Sequence, residues 1–211
     1  MTAGQAVSER RAYVDLFWLP LGAGGHSVRF NGLVFEAIAA RLEKRTRCDL
    51  YHAALEVELP PGRYTIEMTP VPDGNGVARV VVAQGPVGSR GASRLRIFRY
   101  EIRCWLDGAI PDVDWVVESP RRLTEDPLLA RRVLDLVPHV PTYVWGRDEL
   151  GAGEMWNSNS LVSWLLARSG IDVGRAQPPA GGRAPGWDAG LVAAGAATVA
   201  RPAGNRFARR P

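Results

Sequence analysis

A chain of 211 residues, 46% hydrophobic and 23% charged, has the composition of one globular domain, which excludes a fibrous or largely unstructured protein. Its 2 cysteines exclude a disulfide scaffold or a multi-cysteine zinc module. The net charge of +4 resides in residues 201–211, where Arg201, Arg206, Arg209 and Arg210 stand without an acid; residues 1–200 hold 22 basic and 22 acidic groups, so a nucleic-acid partner, which normally calls for a basic face on the folded part, is not expected.

Lys44 is the only lysine, and the arginine excess travels with abundant Gly, Ala and Pro. That pattern matches the coding bias of a GC-rich genome, and the arginines are not read as phosphate ligands. Residues 12–21 are apolar but interrupted by Asp15 and Pro20, which does not suit a secretory signal. The apolar run 189–200 is shorter than the roughly 20 residues a membrane span needs. A cytoplasmic protein with no membrane span and with free Cys48 and Cys104 is expected.

Residues 1–11 are polar and aperiodic and form a loose N-terminus; 12–200 read as a single domain, and 201–211 as a basic disordered tail. Val14–Leu19 reads as a buried strand ended by Pro20 and the glycines at 22, 24 and 25. Ser27–Phe30, Asn31-Gly32 and Leu33–Phe35 predict a hairpin, because Asn-Gly suits the positive φ angles of a type I′ turn. Phe35, Ile38, Ala39 and Leu42 recur at helical spacing and predict a helix over 35–46.

The next hairpin carries the clearest pattern. A turn at Pro61-Gly62 pairs Val57 with Ile66 and Glu56 with Glu67. Ala53, Leu55, Val57 and Leu59 then share an apolar face with Tyr64, Ile66, Met68 and Pro70, while His52, Glu56 and Glu58 share a polar one with Arg63, Thr65, Glu67 and Thr69. A slip of one residue would mix the faces. Facing carboxylates at Glu56 and Glu67 would cost stability and raise one pKa, unless an arginine such as Arg63 neutralises them.

Val77–Ala83 is valine-rich and reads as a central strand, Gln84–Ser93 as a Gly-rich loop, and Arg94–Trp105 as an alternating strand turned by Leu106-Asp107-Gly108. Thr124 is the expected cap of a helix over 126–137, ended by Pro138 and Pro141. Ser160–Arg168 is a short helix with the core stripe Leu161, Trp164 and Leu165, closed by Gly170. After a Gly/Pro-rich connector over 174–186, Asp188 is the expected cap of a helix over 189–200. Strands first and helices after give an α+β class with an antiparallel sheet and packed helices.

The run Trp156-Asn157-Ser158-Asn159-Ser160 directly precedes the 160–168 helix. Capping explains one such residue, since Asn and Ser side chains accept from the free N–H groups of a first turn. Four in succession exceed a cap. A helix N-terminus also favours an oxyanion or a nucleophile losing its proton. Both readings stand on the motif alone.

The order of these features resembles the circularly permuted papain-like hydrolases, relatives of the NlpC-type cell-wall peptidases. In that family a His strand precedes the nucleophile helix, which opens with N-C-N-x. Here D-L-Y-H-A-A-L-E-V-E-L is similar to the His strand, and W-N-S-N-S-L-V-S-W-L-L to the nucleophile helix, over roughly residues 50–168. The resemblance implies a permuted papain-like fold and a peptide or amide substrate; an acyl substrate fits the same chemistry, and no cofactor is expected. His52 falls at the family's His and Ser158 at its Cys. The backbone N–H groups at 158–160, at the helix N-terminus with Asn157, Asn159 and Ser160, would form the oxyanion site, and the hairpin register offers Glu67 or Thr69 to orient His52. Trp156 and Thr69 would line the cleft.

Serine is the departure, although related bacterial proteins resemble this one in carrying N-S-N-T. A hydroxyl needs a positioned base where a thiol is already partly ionised. A hydrolase or acyl-transfer enzyme with a Ser–His pair is one expectation. A non-catalytic module of the same fold, binding a peptide, lipid or protein, is the other. His52 also has a plain structural reading. Cys48 is a weaker nucleophile candidate, because the end of a helix disfavours a thiolate. His26 lies in a turn-like G-A-G-G-H-S, and loops 22–25 and 85–91 lack the Lys-Ser/Thr of a phosphate loop. His139 has no acidic neighbour at ligand spacing, so no metal site is expected.

Overall fold

The computed structural model describes residues 12–21, 48–71, 80–110, 113–118 and 120–196. The expected hairpin over 27–35, the helix over 35–46, His26, both termini and the far end of the last helix lie outside them.

The architecture is α+β. Strands β1 (Tyr13–Pro20), β2 (Tyr51–Leu59), β3 (Gly62–Pro70), β4 (Val81–Pro86), β5 (Arg99–Leu106) and β6 (Arg121–Thr124) form one sheet in the order β4-β5-β3-β2-β1-β6. Every pairing is antiparallel. Helices α1 (Pro127–Leu136), α2 (Ser158–Ser169) and α3 (Trp187–Ala193) follow, and α1 and α2 both pack on β2.

Strand alternation sorts the sheet into two faces. Val14, Leu16 and Trp18 of β1, Ala53, Leu55 and Val57 of β2, Ile66 and Met68 of β3, and Tyr100 and Ile102 of β5 are buried against Leu161, Trp164 and Leu165 of α2. The stripe expected on that helix is part of this core, together with Val162 and Leu166. The second face carries a small apolar cluster of Phe17, Leu19, Ala54 and Ile110 beside buried Asp15, Glu56, Glu101 and Arg103. Its charges are paired: Arg122 holds Asp15 through two bonds of 2.5 and 3.1 Å, and Arg103 holds Glu101 at 2.7 Å.

The β2–β3 hairpin differs from expectation by two residues. Leu59 pairs with Gly62, so Pro60 and Pro61 make the turn, and Val57 meets Tyr64. A slip of two preserves the alternation, so both faces keep the residues the pattern assigned them. Glu56 consequently faces Thr65, and the like-charge pair with Glu67 does not form. Glu67 instead faces Arg103 on β5, at 3.5 Å. The Glu56 carboxyl is still pushed up, chiefly by burial, with Arg63 pulling the other way and Asp15 adding to the rise.

Other boundaries shift for local reasons. The described part of the valine-rich segment is an edge strand and not a central one: among the described strands β4 pairs only with β5, Val80 and Val81 are exposed, and Gln84–Pro86 extend the strand into the expected loop. β5 begins at Arg99 after two 3₁₀ turns over 92–94 and 96–98. β6 was not expected at all. Asp126, not Thr124, caps α1 by accepting from Leu128 N–H at 2.8 Å, and Thr124 Oγ1 accepts from Asp126 N–H. α3 starts at Trp187 after Gly186 and ends at Ala193, so Asp188 lies in its first turn and does not cap it.

Candidate functional site

The site candidate is built where α2 begins. Asn157 is extended, with φ −163°, and its Oδ1 accepts from Asn159 N–H at 2.9 Å and Ser160 N–H at 3.4 Å. Asn157 N–H donates to Ser160 Oγ at 3.0 Å, which completes a reciprocal capping box. The helix thus starts at Ser158, two residues before the expected start at Ser160. It ends at Ser169, and Gly170 takes a φ of 86° after it.

The polar side chains then reach beyond their own helix. The segment 185–187 crosses the start of α2 with its carbonyls turned toward it. Asn157 Nδ2 and Asn159 Nδ2 each donate to Pro185 C=O at 2.8 Å. Ser160 Oγ donates to Gly186 C=O at 2.6 Å, and Ser163 Oγ to Trp187 C=O at 2.7 Å. Gly186 has a φ of 89°, and a side chain there would run into the Asn157 amide, so glycine is required on both counts. Sequence reasoning missed this strap and Ser163. The signal was a further serine one turn after Ser160 in an otherwise apolar helix.

Asn159 makes the link to His52. Its Nδ2 donates to Tyr51 C=O at 3.0 Å, and its Oδ1 accepts from Ala53 N–H at 2.8 Å. The two peptide groups on either side of His52 are therefore bonded to the residue after Ser158. His52 itself faces Leu19 on β1, on the sheet face away from the helices. Burial pushes its imidazole down to about 4, so the ring is neutral near pH 7.

Ser158 is buried and is the first residue of the helix. Among the described residues its side chain makes no hydrogen bond, and none joins it to His52. Of the first-turn amides expected to form an oxyanion site, those of Asn159 and Ser160 are taken by the Asn157 cap, which leaves Ser158 N–H.

The remaining candidates separate from this centre. Glu67 is engaged by Arg103 on the second face, and Thr69 faces Glu101. Trp156 is buried in the core, edge-on to Tyr143 with ring centroids 5.1 Å apart, and does not open onto a cleft. His139 sits exposed in a 3₁₀ turn. Among the described residues no group of three or more His, Cys, Asp or Glu could hold a metal ion, and no helix is long and apolar enough to cross a membrane. No protein-family model, curated protein or solved structure matches the chain.

Proposed function

We propose that the protein is a hydrolase or acyl-transfer enzyme of permuted papain-like fold, acting on an amide, ester or thioester through Ser158 and His52. One observation carries this reading. Asn157, Asn159 and Ser160 all spend their side chains on the cap and on docking, and Ser158 alone in the run has no such bond. A buried serine at a helix N-terminus with no structural role is available for chemistry.

In the proposed reaction Ser158 Oγ bonds to the carbonyl carbon while its proton passes to His52. The same proton leaves on the amine, alcohol or thiol as its bond to carbon breaks. Water or an acyl acceptor then repeats the sequence on the acyl-serine. The developing oxyanion lies at the Ser158 N–H and the positive end of α2. His52 is neutral at pH 7, and the burial that keeps it so also makes it a weaker base than an ordinary imidazole. With Glu67 held by Arg103, the mechanism rests on two residues and not on a triad.

The second reading, a non-catalytic module binding a peptide, lipid or partner protein, is favoured by the absent Ser158–His52 hydrogen bond and by the place of His52 on the sheet face away from the helices. Catalytic hydrogen bonds often tighten only with substrate, so the two readings are separated by reactivity. A fluorophosphonate should label wild-type protein at Ser158, and Ser158→Ala and His52→Ala should each abolish labelling. Labelling that survives His52→Ala, or no labelling of a folded wild type, removes the enzyme reading and leaves the binding module.

A further inference from the structure

We infer that Asn159 is the positioning residue of the Ser158–His52 site, its amide standing in for β3 backbone where β3 no longer pairs with β2. The inference rests on the Ser158–His52 reading above and adds the device that sets its geometry.

Three different partners serve one edge of β2 in succession. Tyr51 N–H donates to the carbonyl of Arg183 at 2.8 Å, and Leu50 and Arg183 form a short parallel bridge. Tyr51 C=O and Ala53 N–H go to the Asn159 side chain. From Leu55 onward the partner is β3, beginning at Ile66. The Asn159 amide fills the gap between two stretches of backbone, and it does so because it presents one acceptor and two donors. The acceptor and one donor copy a peptide group; the second donor reaches Pro185 C=O.

No other side chain of this size fits all three partners. An aspartate would set a carboxylate against two carbonyl oxygens, and a leucine would leave a buried N–H and a buried C=O unpaired. The bonds lie on the peptide units either side of His52 and on the residue after Ser158. Asn159 therefore fixes the backbone that carries His52 relative to the start of α2 and touches neither reacting atom. A displacement of about 1 Å at a reacting pair costs on the order of 100-fold in rate.

The test uses the full chain and a matched control. Ser163→Ala removes a hydrogen bond from the same helix to the same strap but leaves β2 alone. Two rates are read: fluorophosphonate labelling of Ser158, and alkylation of the thiol in a Ser158→Cys background as a function of pH. Asn159→Ala should slow labelling about 100-fold. It should also return the Ser158→Cys thiol to the ordinary cysteine pKa of about 8.5, from a lower value when Asn159 is present. Ser163→Ala should leave both readouts within about twofold of the parent, as expected for a change remote from the reacting pair.

If Asn159→Ala does not fold, Asn159→Asp, which keeps the volume but loses both donated bonds, takes its place with the same expected direction. No labelling of wild type, together with a lowered thiol pKa that depends on Asn159, overturns the hydrolase and retains the positioning role. A thiol pKa indifferent to Asn159, or labelling slowed no more than by Ser163→Ala, overturns the positioning role.

Discussion

The N-termini of α1 and α2 use the same local device in opposite surroundings. Asp126 caps α1 with a single accepted bond, Pro127 follows at the first helical position, and Leu128 beside it is 77% exposed. Only Ala130 and Val133 of that helix are buried. Asn157 caps α2 with two accepted bonds, and ten of that helix's twelve residues are buried. Water can satisfy whatever the α1 cap leaves open. At α2 the side chains of Asn159 and Ser160 are buried, and each finds a protein partner. The excess of Asn and Ser over a cap's needs is the mark of a terminus docked on other backbone.

The harshest way to break this contrast is to fill the contact behind the α2 terminus. α3 lies so close at Gly190 that a Cβ there would run into Ser163 Oγ and the Ser160 carbonyl. The carbonyl belongs to helix backbone and cannot yield without moving α2. Gly190→Ala should cost about 3 kcal/mol, the upper range for overpacking. In a chain of this size that is a fall of roughly 6–12 °C in Tm. Arg131→Ala on the exposed side of α1 should stay within about 0.5 kcal/mol. Thermal unfolding of the two variants checks both, and equal losses would show that the terminus of α2 is not tightly docked.

The two termini also show how far the sequence could be read. The alternation of β2 and β3 assigned the faces correctly although the register was off by two, because a two-residue slip keeps every side chain on its face. What moved was the cross-strand chemistry: Glu67 met Arg103 in place of Glu56. The valines of β4 suggested a central strand, but hydrophobicity does not report which neighbour a strand finds, and β4 closes the sheet. β6 was invisible because Arg121-Arg122-Leu123-Thr124 has too few apolar residues for a period, and it is held by backbone pairing and the Arg122–Asp15 ion pair. At α2 the polar run was legible as excess. Its partners were not, because Pro185, Gly186, Tyr51 and Ala53 contribute backbone groups that every residue carries.

A second contrast is in acid. The strand docked to the α2 terminus carries His52, whose pKa is lowered from 6.5 to about 4 by burial. The unfolded chain therefore takes up a proton near pH 6.5 that the folded protein refuses until about pH 4. Stability from this group is complete above pH 6.5 and is lost as pH falls through that window. Discounted for partial exposure, the loss is about 2 kcal/mol. Denaturant unfolding between pH 7 and 4 should show it as a slope that His52→Gln removes, over whatever the carboxylates contribute to both proteins. Identical slopes in the two would place His52 in a solvated setting.

The smallest effect separates the caps themselves. Asp126→Ala should cost about 1 kcal/mol, the ordinary worth of an N-cap whose N–H groups water can reach. Asn157→Ala loses its cap and also the bond to Pro185, so about 2 kcal/mol is expected; Asn159 still donates to that carbonyl, which keeps the cost from rising further. The exchange variants are more telling than the alanines. Asp126→Asn keeps an accepting oxygen and should be close to neutral. Asn157→Asp keeps the cap but turns a donor into an acceptor facing Pro185 C=O, so it should cost at least as much as Asn157→Ala. A carboxylate at 157 suits the positive end of the helix, and if only the helix mattered the variant would be stabilising. Denaturant midpoints showing Asn157→Asp as stable as wild type would mean that the α2 terminus is capped like α1 and is not docked on the strap.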